Sequence, residues 1–251
     1  VVHSATKFLG GHGAVLGGAI VDGGTFDYGA APDRWPQLAR PKARYGGQTL
    51  VERHGRGAYL TLARSKFLHD LGPTLAAASA AQFIQGLETL DLRVARHTAT
   101  ALAVAEHLAG HPAVARVHHP GVAGHPSAAL AARDFPDGVG SVFSFDLACG
   151  PEAVAPFLDA LELFQLVVNV GDARSLVSHP ATMTHCRLTR QQREDAGIAE
   201  TTVRLSIGLE CPDDLIADLD RALAVVTAAG PAVPATTPAV PETAAVTQEV
   251  R

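Results

Sequence analysis

VVHSATKFLGGHGAVLGG, residues Val1–Gly18, starts apolar, passes through two hydroxyls and a lysine, and ends rich in glycine. Val1 and Val2 are expected to be the last residues of a buried strand that begins before this chain. Ser4, Thr6 and Lys7 would then gather two neutral donors and one amine at a strand end, where open α/β sheets place their ligands. The glycines Gly10, Gly11, Gly13, Gly17 and Gly18 permit a sharp turn and a close backbone approach to a ligand. A lysine beside a glycine turn is most often a solvated surface residue. Here, however, three lysines (Lys7, Lys42, Lys66) stand against seventeen arginines, and Lys7 lies among small and apolar neighbours, not in a charged run. That setting suits a depressed amine pKa and Schiff-base chemistry. Nucleotide loops do not fit. A Walker loop places its lysine after the glycines, and the run from Gly11 to Gly17 misses the dinucleotide spacing by one residue.

Working outward, Ala14–Asp22 reads as a short buried strand, and residues 25–57 as a long irregular segment rich in Gly, Pro and Arg. That segment, with Trp35, Tyr45, Arg44, Arg53, Arg56 and nearby Tyr59, is expected to form a subunit contact. Residues 58–71 predict an amphipathic helix ending near Gly72-Pro73. Residues 74–90, starting at Pro73, predict a buried helix. A longer helix is expected over 91–109, with Leu90, Val94, Ala101, Val104, Ala105 and Leu108 on its apolar face, stopped by Gly110 and Pro112. From residue 113 the pattern alternates. Strands are expected at 113–118, 141–147, 165–170 and 203–208, and helices at 126–134, 151–163 and 212–228, which indicates an α/β layer. Asp213 and Asp214 fall in the first turn of the last helix, where its dipole favours them. Residues 230–251, rich in Pro, Ala, Thr and Val, are expected to be a disordered tail.

Composition narrows the function. Of 251 residues, 47% are hydrophobic and 18% charged, as in globular proteins. A net charge of −5 offers no basic excess for nucleic acid. No apolar run reaches the length of a membrane helix, and no signal peptide is expected. Cys149, Cys186 and Cys211 are odd in number and widely spaced, as expected of reduced thiols. A cytoplasmic protein without a metal site is expected.

Two later segments add chemistry. Asn169–His185, NVGDARSLVSHPATMTH, closes an apolar strand, turns at Gly171-Asp172, and is held extended before Pro180. Its histidines, His179 and His185, read as satisfied structural residues and lack a third zinc ligand at usual spacing. In Val203–Glu210, VRLSIGLE, an arginine sits inside a β-branched, apolar strand. Such burial is costly unless a carboxylate meets the guanidinium. The carboxylate would come from a protein Asp or Glu, or from a ligand held by the bidentate fork.

Together, HSATKFLGGHG (3–13), the NVGDA loop and VRLSIG resemble the Cys/Met-metabolism family of pyridoxal-phosphate enzymes, in its sulfhydrylase form, over residues 1 to about 228. The resemblance implies a fold-type-I α/β transferase. Residues 1–112 would form the C-terminal portion of the large cofactor domain with its linker helix, and 113–229 the small α/β domain. It also implies that Ser4 and Thr6 hold the phosphate of pyridoxal 5'-phosphate and that Lys7 carries the cofactor covalently and acts as base. Arg204 would bind the α-carboxylate of an amino-acid substrate, with Asn169 and Thr184 facing that substrate. The implied reaction is γ-replacement on O-acetyl-L-homoserine by sulfide or a thiol, in a homo-oligomer (dimer or tetramer) whose sites are shared across an interface. Cystathionine γ-synthase or methionine/cystathionine γ-lyase chemistry is the alternative within the family. A non-catalytic, partner-dependent fragment is the alternative outside it. The family's glycine-containing phosphate loop, its ring-stacking aromatic residue and the aspartate for the pyridine nitrogen precede the lysine and are not among these residues. The chain therefore resembles the C-terminal part of such an enzyme.

Overall fold

The structure, a computed structural model, describes residues 1–227 and divides into two compact units. The expected tail over 230–251 lies outside the described residues. The first unit comprises residues 1–10 and 14–87, and the second comprises 11–13 and the residues from 88 onward. The division falls ahead of the expected one at 112.

In the first unit, β1 (Val2–Ser4) pairs antiparallel with β2 (Gly18–Ile20), Val2 opposite Ile20 and Ser4 opposite Gly18. The expected burial of Val1-Val2 and of Ala14–Asp22 is not found. Only three residues of the latter are strand, and Val2 is 72% exposed. A two-stranded ribbon has two open faces, so its apolar side chains are buried only where another layer covers them. After α1 (Pro36–Ala39), α2 (Leu50–His54) opens with a reciprocal capping box between Thr49 and Glu52. The expected helix over 58–71 forms in three parts: α3 (Ala58–Leu62), a π-helical run Ala63–Leu68, and α4 (His69–Leu71), closed by left-handed Gly72. Leu38, Leu50, Ala58 and Leu62 form a small core with Tyr28, Tyr45 and Tyr59 packed against it.

The next helix, α5 (Ala77–Glu88), begins four residues later than Pro73 and is largely exposed; Ile84 keeps 63% of its surface. Residues 74–90 are mostly small or apolar, so composition alone does not say which face is covered. The covered face is Phe83 and Gly86. A Cβ on Gly86 would stand 2.5 Å from the Leu9 carbonyl oxygen, and one on Gly10 would stand 3.0 Å from the Phe83 ring. Gly86 thus lets α5 lie directly on the backbone of the Lys7 turn.

The second unit starts with α6 (Leu90–Ala109). Its C-terminal half buries Ala101, Val104, Ala105 and Leu108 as expected. Its first turns do not follow the expected stripe. Arg93 and His97 are buried while Val94 is exposed. His97 Nδ1 pairs with the Ile207 carbonyl at 2.7 Å, so a polar partner overrides the apolar period. Then come β3 (Val114–His118), α7 (Ala128–Asp134), β4 (Val142–Leu147), α8 (Val154–Ala160), β5 (Gln165–Leu166), β6 (Leu176–Ser178), α9 (Arg190–Asp195), β7 (Thr202–Ser206) and α10 (Pro212–Thr227). The strand expected at 165–170 is only two residues long. The strand β6 and the short helix α9 were not anticipated, because three and six residues carry too little periodicity.

The sheet order is β3-β4-β7-β6-β5, antiparallel except for the β5–β6 pair. Alternation sorts its two faces. Phe143, Phe145, Leu147, Val177, Val203 and Leu205 enter one core with residues of α6, α8 and α10. Ser144, Asp146, Ser178, Thr202, Arg204 and Ser206 point the other way. Asp218 of α10 ties the α8–β5 connection to this core. Its buried carboxylate accepts from the backbone N–H groups of Glu162 (2.9 Å), Leu163 (2.9 Å) and Phe164 (3.4 Å), and it pairs with Arg221. Among the described residues no helix is long and apolar enough to cross a membrane.

Candidate active site

The first constellation is a turn at the end of β1. Lys7 N donates to the Ser4 carbonyl (3.3 Å) and Gly10 N to that of Ala5 (2.8 Å), which winds residues 4–10 tightly under α5. Ser4 is exposed, Ala5 is buried, and Thr6 and Lys7 are half-buried. Thr6 is drawn into the ribbon. Its hydroxyl donates to Gly17 O (3.2 Å) and accepts from Gly17 N (3.0 Å). The turn therefore presents a hydroxyl and an amine three residues apart, with a second hydroxyl behind them. That donor set fits a ligand bearing both a phosphate and an aldehyde, since the phosphate takes neutral donors and the aldehyde takes the amine.

The turn's glycines also make room for protein side chains. Gly11 and Gly13 have φ of +73° and +61°. A Cβ on Gly11 would sit 2.2 Å from Arg93 Nη1, and one on Gly13 would sit 2.3 Å from Asp172 Oδ2. Both positions admit side chains of the second unit, to which these glycines belong. Ala173 N, donating to Gly11 O at 2.8 Å, fixes the same segment.

The second constellation is built on β7. Arg204 is its central residue, flanked across the ladder by Ser144 of β4 and Ser178 of β6. Its Nη2 donates to the backbone oxygen of Asn169 at 3.4 Å, so the structure brings these two expected residues together. Arg204 Nε is buried and has no hydrogen-bond partner among the described residues. None of the described Asp or Glu side chains forms an ion pair with it. Burial pulls the guanidinium below its ordinary pKa, with no neighbouring charge opposing the shift. Of the two partners open from sequence, no protein carboxylate among the described residues pairs with it.

Asn169 is delivered by a pinned loop. Gly171 N donates to Ser206 Oγ (3.1 Å) and Leu209 N to Ala173 O (2.8 Å). Glu210 accepts from Ser175 N (2.7 Å) and Ser175 Oγ (2.8 Å), while that hydroxyl accepts from Gly208 N (2.8 Å). A Cβ on Gly208 would fall 2.4 Å from Ala173 O. Ser175, Gly208 and Glu210 thus hold the loop on the strand that carries Arg204. Gly208 and Glu210 lie in the VRLSIGLE segment, but nothing in its spacing signals this role. Thr184 bonds its neighbour His185 at Nδ1 (2.8 Å) and makes no hydrogen bond to Arg204. His179 is fully satisfied by Thr182 Oγ1 (2.9 Å) and Glu200 O (3.0 Å), as its structural reading required.

A family model described as Cys/Met metabolism PLP-dependent enzyme matches residues 1–224. The chain is 42% identical over 232 residues to an O-acetyl-L-homoserine sulfhydrylase of Leptospira meyeri, covering 89% of this chain and 52% of that protein. A Campylobacter jejuni crystal structure, assigned as an O-acetylhomoserine (thiol)-lyase with N'-pyridoxyl-lysine-5'-monophosphate at position 205, aligns with TM-score 0.81 and 35% identity. The alignment covers 89% of this chain and 53% of that one. Cystathionine gamma synthase of Xanthomonas oryzae, in complex with cystathionine, aligns with TM-score 0.70 and 37% identity, covering 91% and 50%. The chain spans about half the length of the curated relatives it matches.

Proposed function

Since the chain belongs to the Cys/Met metabolism family of PLP-dependent enzymes, we propose that it supplies the cofactor lysine and the carboxylate anchor of a γ-replacing transferase. Ser4 and Thr6 would hold the cofactor phosphate, Thr6 by turning its hydroxyl proton away from Gly17 O. Pyridoxal phosphate, when bound, supplies the electron sink that stabilises negative charge at the substrate Cα. Arg204 takes the α-carboxylate of O-acetyl-L-homoserine in a bidentate fork, with Asn169 beside it and Thr184 toward the substrate. Lys7 is the base that takes the proton from Cα and then moves one at Cβ. Acetate leaves from Cγ and sulfide or a small thiol enters there, giving homocysteine or methionine. The enzyme is cytoplasmic and a homo-oligomer, a dimer or tetramer, in this reading.

The observation that carries the proposal is Arg204: an arginine set in a strand, half-buried with its Nε shut off from water, with no Asp or Glu of the described residues paired to it. A partly desolvated charge without a counter-ion is unfavourable, and an α-carboxylate offsets that while binding. The NVGDA form of the loop favours sulfhydrylation over cystathionine synthesis or γ-elimination. Product analysis separates them. The enzyme containing this chain is expected to convert O-acetyl-L-homoserine and sulfide to homocysteine and acetate. With methionine or cystathionine alone, little 2-oxobutanoate should form. Rapid release of 2-oxobutanoate would instead assign it to the γ-lyases.

A further inference from the structure

Arg204 and Ser178 are direct cross-strand partners in the antiparallel β6–β7 ladder, so their side chains stand on the same face of the sheet. Ser178 is only 1% exposed. Its hydroxyl oxygen and Arg204 Nε are both shut off from solvent, and neither has a hydrogen-bond partner among the described residues. Two unsatisfied polar atoms on opposed residues are unusual, because each orphaned group costs about 1–3 kcal/mol. These two are complementary: Nε–H is a single donor, and a hydroxyl oxygen accepts through two lone pairs. Ser144, the partner of Arg204 on the other side, is only half-buried and its hydroxyl is not stranded in this way.

We infer that Ser178 is a positioning residue for Arg204, its Oγ accepting from Arg204 Nε–H when the guanidinium is engaged at its far edge. The division of labour follows from the shape of the fork. With Nε held by Ser178 on the sheet and Nη2 near the Asn169 carbonyl, the plane of the guanidinium is fixed and its terminal edge is left to the ligand. A short strand sets this geometry more firmly than a loop would, since the β6–β7 register fixes both Cα positions. This inference rests on the reading that Arg204 binds the substrate carboxylate.

The test is nuclear magnetic resonance on the arginine Nε–H groups of the full chain, with the Arg204 signal assigned by its loss in Arg204→Lys. O-acetyl-L-homoserine is the added probe, and its methyl ester is the control that lacks the carboxylate. With the amino acid bound, Arg204 Nε–H should be protected from solvent exchange. Ser178→Ala should speed that exchange about tenfold and weaken the amino acid's binding by a similar factor, the loss of one hydrogen bond to a charged group. Binding of the methyl ester should not change. Ser178→Thr, which keeps the hydroxyl on a β-branched residue suited to a strand, should restore protection. Protection in Ser178→Ala equal to that of the parent, or none in a folded Ser178→Thr, would overturn the inference. If instead Arg204→Lys bound the amino acid as well as the parent does, the carboxylate reading of Arg204 would fail, while the Nε–H signal would still decide the role of Ser178.

Discussion

Replacing Lys7 by alanine in the enzyme containing this chain should abolish conversion of O-acetyl-L-homoserine and sulfide to homocysteine. One positioned base contributes about 10²–10⁴ in rate, and Lys7 serves at two carbon atoms and carries the cofactor besides. A loss of at least about 10³-fold in kcat is therefore expected. The fold should survive, because the turn is held by backbone bonds from Lys7 N to Ser4 O and from Gly10 N to Ala5 O, neither of which uses the lysine side chain. Lys7→Arg should be equally inactive, since a guanidinium stays protonated where an amine can release its proton. Steady-state assays with each variant measure this. Parent-like turnover in Lys7→Ala would remove the lysine from the mechanism.

The second large effect is expected at Arg204. Truncating one partner of a buried, hydrogen-bonded charge pair costs about 2–5 kcal/mol. Arg204→Ala should therefore raise KM for O-acetyl-L-homoserine by about two orders of magnitude, with a smaller change in kcat. Arg204→Lys should recover only part of this, because an ammonium cannot reproduce the planar fork. The methyl ester of the substrate, poor with the parent, should lose little further in either variant. A KM unchanged in Arg204→Ala would contradict the anchor role. So would equal losses with the free acid and the ester.

Much of this arrangement was legible before the structure. Ser4, Thr6 and Lys7 lie within four residues, so any turn at the end of β1 gathers them. Arg204 in a β-branched strand already demanded a carboxylate, and no described Asp or Glu side chain forms an ion pair with it. The strands of the second unit were found where side chains alternate over five or six residues, as in β4 and β7. Burial in the first unit was misjudged for a physical reason. Val1, Val2, Ile84 and Leu87 are apolar, which suits them to a covered face, but they are exposed because the residues of their own unit do not cover them. The neighbours of Gly11 and Gly13 are only partly legible in the sequence. Positive φ was foreseeable, whereas the approach of Arg93 and Asp172 depends on residues about eighty and one hundred and sixty positions away. Ser178 left no sequence signal, since a lone serine in a three-residue strand acquires meaning only from the register that sets it opposite Arg204.

The most direct measurement is borohydride trapping of the enzyme containing this chain after equilibration with pyridoxal phosphate, followed by absorption spectroscopy and peptide mapping. The chain offers three lysines to choose between, Lys7, Lys42 and Lys66. A visible absorption band that borohydride abolishes, with the pyridoxyl group recovered on Lys7, is the expected result. Pyridoxyl label on Lys42 or Lys66, or on a lysine outside this chain, with Lys7 unmodified, would contradict the account.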